Sequence, residues 1–388
     1  MKPKHIFLPF LLLLLTACQT DLIGPTTPCN GNTTPNHPNA AKYQQVIDNY
    51  VAQGLPGISI LIRDAEGTWA SGAGMADIAK KVPMEPCMVS KAASITKTFV
   101  GVATMKMAEA GKLNLDDQIS LYLDEKVIEQ VNNADQSTIR MLLNHTTGIF
   151  DVITDQSFYL RILNDPSHPW TPEELISFVE GDEAYFPVGT DVGYSNTNYL
   201  LLAMILDEVH DQGHADLIRT QVIEALDLQN TFYYWHDEVP AETAQGYFDL
   251  YNNGTLLNMT NYNTGSGNGY GGIYANVFDL QTFIEALARN NSVLNPKSLQ
   301  EMFTWTEPLE GKFREHGLGV FRDYLERPAD EYAIGHRGRD LGYTADMFWF
   351  PEKDYTLVYL INYGTDAKSE LQETFFQFRT AIVDAMME

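Results

Sequence analysis

The chain is poor in cations, in cysteine and in long apolar runs, and these shortages narrow its possible functions. Its 388 residues include 25 lysines and arginines against 51 aspartates and glutamates, a formal net charge of −26. A chain so acidic repels phosphate, so we expect no binding to nucleic acid. There is no fixed-period repeat, and beyond the first residues no apolar run is long enough to span a membrane.

The one marked apolar run lies at the N-terminus. Lys2 and Lys4 precede an apolar stretch over residues 6–15, and the sequence Leu-Thr-Ala-Cys follows at residues 15–18. The run is too short for a mature membrane helix and is typical of a removed signal peptide, residues 1–17. Its ending resembles a bacterial lipobox, which implies a lipid anchor on Cys18 and a lipoprotein of the extracytoplasmic cell envelope, periplasmic or surface-facing. An ordinary secretory signal with an incidental cysteine is the alternative.

The segment that follows, residues 18–39, is rich in proline, threonine and asparagine and has few large apolar side chains. We therefore expect it to be a solvated tether. Of the three cysteines, only Cys29 and Cys87 then remain. An extracytoplasmic location would allow them to form a disulfide, and the sequence leaves open whether they do.

Residues 40–388 are long enough for one body divided into two lobes. Apolar periodicity predicts helices near both ends of this domain, strands after the first helix and before the last, and a mostly helical lobe over about residues 112–290. The expected fold class is α/β (α+β): an antiparallel β-sheet flanked by N- and C-terminal helices, plus an all-helical lobe. A ligand cleft would lie between the two lobes. The predicted helices and strands cover residues 40–53, 57–63, 68–72, 94–110, 138–143, 171–179, 200–209, 215–225, 280–288, 332–335, 343–350, 355–361 and 371–387.

The first candidate for chemistry is the Ser-x-x-Lys pattern at Ser94 and Lys97. The hydroxyl and the amine are three positions apart in the sequence, so a helix would place both on one face. A serine hydroxyl becomes a good nucleophile when a neighbouring base takes its proton, and a desolvated lysine can act as that base. Alone the pattern is weak, because an N-capping serine and a solvated lysine would give the same four residues.

Two further segments strengthen this interpretation. Residues 192–199 form a polar turn before an apolar helix, which would place Tyr194 and Asn196 at a cleft. Residues 334–339 carry His336 and Gly338 just before a strand-like run, and glycine there would let a ligand lie close to a strand edge.

These three motifs, in this order, resemble those of the penicillin-recognising serine hydrolases: class C β-lactamases, soluble D-alanyl-D-alanine carboxypeptidases and related esterases. In that branch, Tyr-x-Asn and His-x-Gly replace Ser-Asp-Asn and Lys-Thr-Gly. The resemblance extends from about residue 40 to the C-terminus and includes residues 141–148 and 271–273. Residues 194–198, Tyr-Ser-Asn-Thr-Asn, are especially similar to the carboxypeptidase form. The implied fold is β-lactamase/transpeptidase-like.

The resemblance implies a role for each motif residue. Ser94 would attack the substrate and form an acyl-enzyme, and Lys97 with Tyr194 would move the serine proton, the phenol pKa being lowered by nearby cations. The sequence does not say which of the two is the base. Asn196 would hydrogen-bond the substrate amide, and His336 would replace the lysine of Lys-Thr-Gly as a positive or hydrogen-bonding group.

The remaining substrate-binding residues are Arg337, Gly338 and Arg339. The resemblance assigns the oxyanion contacts to the backbone N–H groups of Ser94 and Arg339. Arg337 departs from the family, which usually has a small residue there, and it could either bind a substrate carboxylate or occupy space that the substrate needs. With Lys97 and His336, these arginines would make the cleft locally cationic despite the acidic chain.

The expected activity is that of a D-alanyl-D-alanine carboxypeptidase-type peptidase or a related β-lactam-reactive enzyme, acting on a cell-wall peptide, a β-lactam or an ester. The alternatives are a class C-like β-lactamase, a carboxylesterase, a D-amino-acid amidase and, outside enzymes, a non-catalytic cell-wall binding module. No cofactor or metal is expected. The glycine pattern over residues 267–272 lacks the preceding strand of a dinucleotide site, and Gly213 interrupts the helix that His210 and His214 would need to share for zinc.

Overall fold

The computed structural model describes residues 23–30, 34, 36–307 and 314–388. The signal peptide and Cys18, the expected lipidation site, lie outside these residues. None of the helices in the described part of the chain combines the length and apolar character needed to cross a membrane.

The sheet region contains a large antiparallel sheet of eight strands, in the order β3-β2-β1-β13-β12-β11-β10-β9. A smaller sheet has the order β4-β8-β5, and β6 pairs with β7. The strands are β1 (Gly57–Asp64), β2 (Gly67–Asp77), β3 (Val82–Pro83), β4 (Ser90–Ala93), β5 (Phe232–Tyr233), β6 (Tyr247–Phe248), β7 (Leu257–Asn258), β8 (Ile273–Ala275), β9 (Glu315–His316), β10 (Phe321–Asp323), β11 (Ala333–Asp340), β12 (Tyr343–Phe350) and β13 (Tyr355–Ile361).

The helices are distributed as the sequence predicts, with one near each end of the domain and most of the others between β4 and β9. They are α1 (Ala40–Ala52), α2 (Thr96–Glu109), α3 (Glu125–Gln130), α4 (Ile139–Asn144), α5 (Gln156–Asn164), α6 (Pro172–Ile176), α7 (Asn196–Val209), α8 (Gly213–Ile218), α9 (Val277–Ile284), α10 (Pro296–Met302) and α11 (Glu370–Met387). Short 3-10 helices cover Ile119–Leu121, Ala134–Gln136 and Val152–Thr154, and π-helical turns extend α8 and α9.

The eight-stranded sheet separates two hydrophobic cores. On one face, α1 and α11 pack through apolar side chains such as Ile47, Phe378 and Ile382, which are all fully buried. On the other face, α2 and α9 join the helical lobe, where Phe99 stacks on Phe283 at a ring-centroid distance of 3.9 Å. Strands β1, β12 and β13 contribute side chains to both cores, which explains their near-continuous apolar runs. The expected antiparallel sheet and its two flanking helices are confirmed. The lobe expected to be all-helical, about residues 112–290, contains most of the helices but also the short strands β5, β6, β7 and β8.

Three boundaries differ from the sequence prediction in ways that matter for the site. Helix α2 begins at Thr96, so Ser94 lies in the turn before it, and α7 begins at Asn196. Strand β11 continues through the third motif to Asp340, whereas the predicted strand ended at residue 335. Glycine and arginine have low strand propensity, and here cross-strand pairing with β12 overrides it.

The N-terminal segment differs from the expected solvated tether. Ile23 is 4% exposed and packs with Val89, and the Thr26 hydroxyl donates to the backbone oxygen of Thr243. The structure joins Cys29 to Cys87 by a disulfide, with the two Cα atoms 6.1 Å apart. The described part of residues 18–39 is therefore held against the folded domain by apolar burial and by this covalent link, despite its polar composition.

Candidate active site

Ser94 lies at a sharp turn between β4 and α2. Ala93, the residue before it, has a φ of 49°, a left-handed conformation that alanine rarely adopts. The Thr96 hydroxyl donates to the Ala93 carbonyl oxygen (2.6 Å) and accepts from the Ile273 N–H (2.9 Å), so β8 holds the turn in place. The turn presents the serine hydroxyl to a cavity of about 770 Å³.

Lys97 lies one helical turn further on, and its side chain has no solvent exposure. Its Nζ lies 3.1 Å from Ser94 Oγ, 2.7 Å from Asn196 Oδ1 and 2.7 Å from the backbone oxygen of Tyr270. Burial lowers the pKa of Lys97 to about 7, although the charge of Asp151 opposes the shift. The amine is thus held against the serine and loses its proton near neutral pH.

The second motif is brought to the nucleophile by α7. Asn196 is the first residue of this helix and is 3% exposed, and its side-chain oxygen accepts from Lys97. Tyr194 precedes the helix, with its ring centroid 4.9 Å from Lys97 Nζ and a side-chain hydrogen bond to Ser94. The structure therefore brings Ser94, Lys97, Tyr194 and Asn196 together.

One electrostatic prediction for this motif was wrong. The sequence analysis expected nearby cations to lower the pKa of Tyr194, and the structure gives a raised pKa. Burial of the phenol is the largest cause, and it exceeds the opposing effects of the hydrogen bond to Ser94 and the charge of Arg314. Desolvation penalises the phenolate, so Tyr194 is a neutral hydrogen-bonding group at neutral pH.

Asp151 is a site residue that the sequence analysis missed. Its carboxylate is 5% exposed and accepts from the backbone N–H of Asn196 at 3.0 Å. It also accepts from Asn196 Nδ2, which lies 3.1 Å from both of its oxygens. Burial raises the pKa of Asp151 to about 6, against the lowering effect of its hydrogen bonds with Asn196. An acidic residue directly after two apolar residues was the available signal.

The third motif reaches the site because β11 packs against the segment that leads into the Ser94 turn. A Cβ on Gly338 would lie 2.1 Å from the backbone oxygen of Ala92, two residues before Ser94. Only glycine fits at this approach. His336 is 1% exposed, its ring stacks on Phe321 at 4.0 Å, and its centroid lies 6.5 Å from that of Tyr194.

His336 is held as a neutral imidazole. Burial is the main reason that its pKa is far below the usual value, and the charge of Lys97 adds to the effect. Its Nδ1 lies 2.6 Å from the backbone oxygen of Arg337, which assigns the ring proton to Nδ1 and leaves Nε2 as an acceptor. Of the two roles expected for His336, hydrogen bonding fits this environment and a positive charge does not.

The guanidinium groups of Arg337 and Arg339 are already paired. Arg337 lies 2.5 Å from Asp323 and Arg339 lies 2.8 Å from Asp346, and neither carboxylate side chain has any exposure. Arg379 of α11 joins the same network through Asp346 at 2.9 Å. Both β11 arginines line the cavity, but a substrate carboxylate would have to compete with these buried partners.

A different arginine supplies a cation to the cavity. Arg314 lines it with its guanidinium 4.4 Å above the Phe321 ring, and no carboxylate in the described part of the chain pairs with it. Burial lowers its pKa to about 10, so it remains charged at neutral pH. Asp340 also lines the cavity, but Lys91 neutralises it at 2.7 Å.

The glycine-rich turn over residues 265–272 forms another wall and supplies the Tyr270 carbonyl that accepts from Lys97. Gly269 has a φ of 88°, and a Cβ there would lie 2.4 Å from the backbone oxygen of Tyr199. The turn thus contacts α7 closely. Within the described residues, no group of three or more histidine, cysteine, aspartate or glutamate side chains is placed to hold a metal ion.

Comparison with known proteins agrees with this geometry. The family model described as Beta-lactamase matches residues 43–381. The protein flp of Staphylococcus aureus strain NCTC 8325 is 26% identical over 344 residues, covering 85% of this chain and 65% of its own length. Penicillin-binding protein 4* of Bacillus subtilis strain 168 is 26% identical over 310 residues, covering 76% of this chain and 66% of its own length.

A similar solved structure is a D-stereospecific amidohydrolase from Streptomyces sp., with a TM-score of 0.76 and 26% identity, covering 87% of this chain and 98% of that one. The present chain spans about two thirds of the two curated relatives and nearly all of this solved structure. With the family model matching most of the chain, the protein belongs to the Beta-lactamase family of serine hydrolases.

Proposed function

We propose that this hydrolase is a D-alanyl-D-alanine carboxypeptidase-type peptidase that acts through an acyl-enzyme on Ser94. The observation that carries the proposal is the set of partners around Lys97. Two of them, Asn196 Oδ1 and the Tyr270 carbonyl, can only accept hydrogen bonds, and the third is Ser94 Oγ. A neutral amine that donates to both carbonyls directs its lone pair at the serine hydroxyl.

Acylation follows from this arrangement. Lys97 Nζ takes the proton of Ser94 as Oγ forms a bond to the substrate carbonyl carbon, and the carbonyl oxygen becomes an oxyanion. The C–N bond then breaks, and the ammonium of Lys97 returns its proton to the leaving amine. Tyr194 hydrogen-bonds Ser94 and helps to orient this transfer.

Deacylation repeats the same steps with water. Lys97 takes a proton from the water whose oxygen attacks the acyl carbon, and the bond to Ser94 Oγ breaks as the proton moves to that oxygen. The Glu-x-x-[Leu/Asn]-Asn pattern of a separate deacylating glutamate occurs at Glu129, with Asn132 and Asn133. Glu129 is exposed on α3 and does not line the cavity, so we assign activation of the water to Lys97, with Tyr194 or the substrate itself as the alternatives.

One cation that lines the cavity supports a substrate that ends in a carboxylate. Arg314 stays charged, faces the cavity and has no described carboxylate partner, so it can bind a C-terminal carboxylate. Guanidinium groups bind carboxylates well through paired hydrogen bonds. Similarity to a penicillin-binding protein supports the same class of substrate.

The test is to incubate the purified protein with a fluorescent penicillin and with a peptide ending in D-alanyl-D-alanine. We expect a stable label on the peptide that contains Ser94, and release of D-alanine that Ser94→Ala abolishes. Arg314→Ala should raise KM for the carboxylate peptide much more than for its C-terminal amide. Hydrolysis of esters without penicillin labelling or D-alanine release would contradict the proposal.

The same measurements separate the other candidates. Rapid turnover of the drug instead of a stable label would identify a class C-like β-lactamase. Cleavage of D-amino-acid amides but not of carboxylate peptides would identify a D-amino-acid amidase, which the similarity to the Streptomyces amidohydrolase favours. Ester cleavage alone would identify a carboxylesterase. A folded protein with no turnover of any of these substrates would be a non-catalytic cell-wall binding module.

We also propose that the protein is anchored in the bacterial cell envelope by a lipid on Cys18. The support is the short apolar leader and its Leu-Thr-Ala-Cys ending. A bacterial host grown with a labelled fatty acid should yield a labelled, membrane-associated protein, and Cys18→Ala should remove the label. An unlabelled protein released in soluble form would instead indicate an ordinary secretory signal.

A further inference from the structure

We propose that Asp151 is a positioning residue, whose carboxylate fixes the Asn196 amide so that the lone pair of Lys97 faces Ser94. The inference rests on the proposed function, because it concerns the base of that reaction. It assigns a role to a buried acidic side chain that lies outside the three motifs.

The first step concerns what Lys97 needs. A neutral amine has two N–H donors and one lone pair. One N–H of Lys97 donates to the Tyr270 backbone oxygen. Because this acceptor belongs to the main chain, its position does not depend on a side-chain rotamer. The second donor must be occupied by another acceptor for the lone pair to remain directed at Ser94 Oγ, 3.1 Å away. Asn196 Oδ1, at 2.7 Å, is that acceptor.

The second step concerns the orientation of Asn196. An amide side chain can present either its oxygen or its NH₂ group in the same place. If the amide were turned round, its NH₂ would face the lysine amine, and the lone pair of the neutral amine would accept from that NH₂ instead of pointing at Ser94. The neutral amine can thus pair with either end of the amide, so only a partner on the other side of the amide can keep the oxygen facing Lys97.

Asp151 is that partner. An ionised carboxylate only accepts hydrogen bonds, so it requires the NH₂ end of Asn196. Both of its oxygens lie 3.1 Å from Nδ2, and Oδ1 also accepts from the Asn196 backbone N–H at 3.0 Å and from Ile153 N–H at 3.3 Å. The carboxylate thus fixes both the start of α7 and the side chain of its first residue.

The charge of Asp151 also acts on Lys97 through the amide. Among the carboxylates that raise the lysine pKa, Asp151 is the first, followed by Asp340 and Asp366. The other ionisable side chains that face or influence this amine are Tyr194, Tyr199, Tyr270, His145 and His336. Both histidines are buried with lowered pKa, so they are neutral when the lysine titrates near 7.

Removing the negative charge of Asp151 should therefore have two effects. The Asn196 amide loses its fixed orientation, which slows proton transfer from Ser94. The ammonium form of Lys97 loses a stabilising charge, so the lysine deprotonates at lower pH. A residue with only a structural role would reduce the amount of folded protein without moving the pH dependence.

The experiment measures the rate at which a neutral fluorophosphonate probe labels Ser94, as a function of pH, together with kcat and KM for a neutral p-nitrophenyl ester. For Asp151→Asn we expect labelling and kcat to fall about 10- to 100-fold, as is usual when a catalytic group is misplaced by about 1 Å. KM should change little. The acid limb of the pH profile should move down by about one unit.

Three further variants distinguish the mechanism from a loss of folding. Asp151→Glu keeps the charge, so its acid limb should stay near that of the wild type even if its rate falls. In an Asn196→Ala background, Asp151→Asn should reduce the rate little further, because both changes break the same chain of contacts from Asp151 through Asn196 to Lys97. Asp279→Asn is the matched control. Like Asp151, Asp279 is a buried carboxylate, 8% exposed, and it accepts from a backbone N–H, that of Asn230 at 2.7 Å. It has no part in the contacts of Lys97 and Asn196.

The outcomes are separable. If the wild type labels and turns over but Asp151→Asn keeps the wild-type rate and acid limb, the inference is overturned while the proposed function stands. The inference would also be overturned if the fold-losses in rate of Asp151→Asn and Asn196→Ala multiplied fully in the double variant, because the two residues would then act independently. Absence of labelling in the folded wild-type protein at every pH would overturn the proposed function and this inference together.

Discussion

The side-chain amine of Lys97 donates to the backbone carbonyl of Tyr270 across a distance of 2.7 Å. This contact links α2 to the glycine-rich turn and buries the amine fully. A lysine in such a place keeps its position whether or not it carries a proton, because the carbonyl accepts from either form. The site is therefore organised around the lysine.

The pH dependence of the wild-type enzyme should follow Lys97. Its pKa is lowered to about 7 by burial, and only the neutral amine can accept the serine proton. Activity should therefore be present above pH 7, fall as the pH drops through 7, and fall more steeply below about 6, where Asp151 also takes up a proton. The measurement is kcat/KM for a neutral ester over pH 5–9 at constant ionic strength. An acid limb with its midpoint near 10 would contradict a buried lysine base.

Replacing the lysine with another cation should remove activity. Lys97→Arg keeps the charge, but arginine does not deprotonate in this pH range and its planar group does not fit the same three contacts. We expect a loss of at least about 10³-fold in kcat, within the range for a general base. Lys106→Arg, on the exposed end of the same helix, is the matched control and should keep full activity. Substantial turnover by Lys97→Arg would assign the base to another group.

Tyr194→Phe separates the two candidates for the base. Because burial raises the pKa of the phenol, Tyr194 is not ionised at neutral pH and its loss removes a hydrogen bond to Ser94 only. We expect kcat to fall about 10- to 100-fold, with the acid limb still near 7. The measurement is the pH profile of Ser94 acylation. Disappearance of the acid limb in this variant would show that the phenol titrates in the reaction.

The buried ion network beneath β11 should contribute strongly to stability. Arg379 is 8% exposed and pairs with Asp346, a residue with no exposure. Arg379→Met would leave buried carboxylate charge short of a partner, and we expect the free energy of unfolding to fall by about 3–5 kcal/mol. Urea denaturation monitored by tryptophan fluorescence would measure it.

A more exposed ion pair, which joins α11 to the segment between β10 and β11, provides the control for this loss. Arg327 pairs with the half-exposed Asp384 of α11 at 2.8 Å, so Asp384→Asn should cost less than about 1 kcal/mol. Equal losses in the two variants would contradict a special role for the buried network. Since the pKa of Asp346 is lowered in the folded state, its contribution is present above the unfolded pKa near 3.8 and is lost as the pH falls below that value.

The disulfide between Cys29 and Cys87 should stabilise the fold by restricting the unfolded chain. It closes a loop across a sequence separation of 58 residues, and its loss should lower the free energy of unfolding by about 2 to 4 kcal/mol. The measurement is thermal unfolding with and without reductant. A double Cys29→Ser, Cys87→Ser variant should show the lower stability and no further response to reductant, whereas an unchanged wild-type transition under full reduction would contradict the prediction.

The order of the elements could be predicted from the sequence because it depends on local periodicity. Strands β12 and β13 and helix α11 coincide with the predicted segments to within a residue, since long apolar patterns leave little choice. The third motif was predicted less well. Its arginines and glycines do not favour a strand, and only pairing with β12 and the buried carboxylates beneath explains why β11 continues to Asp340.

Ionisation at the site could not be predicted in the same way. Nearby cations were expected to lower the pKa of Tyr194, but desolvation of the phenol is the larger effect and raises it. Asp151 was missed because its role depends on a contact with Asn196, 45 positions away in the sequence. The partner that Tyr270 supplies to Lys97 is its backbone carbonyl. Every residue type has this group, so the sequence could not reveal the contact.

The sequence by itself determined the candidate nucleophile, the order of the three motifs and the alternation of sheet and helix, because residue type and spacing encode these directly. Tertiary structure alone decided which groups are charged, which cavity arginine lacks a carboxylate partner among the described residues and which way the Asn196 amide points. Those properties depend on burial and on distances between segments far apart in the chain, and a pattern of neighbouring residues contains neither.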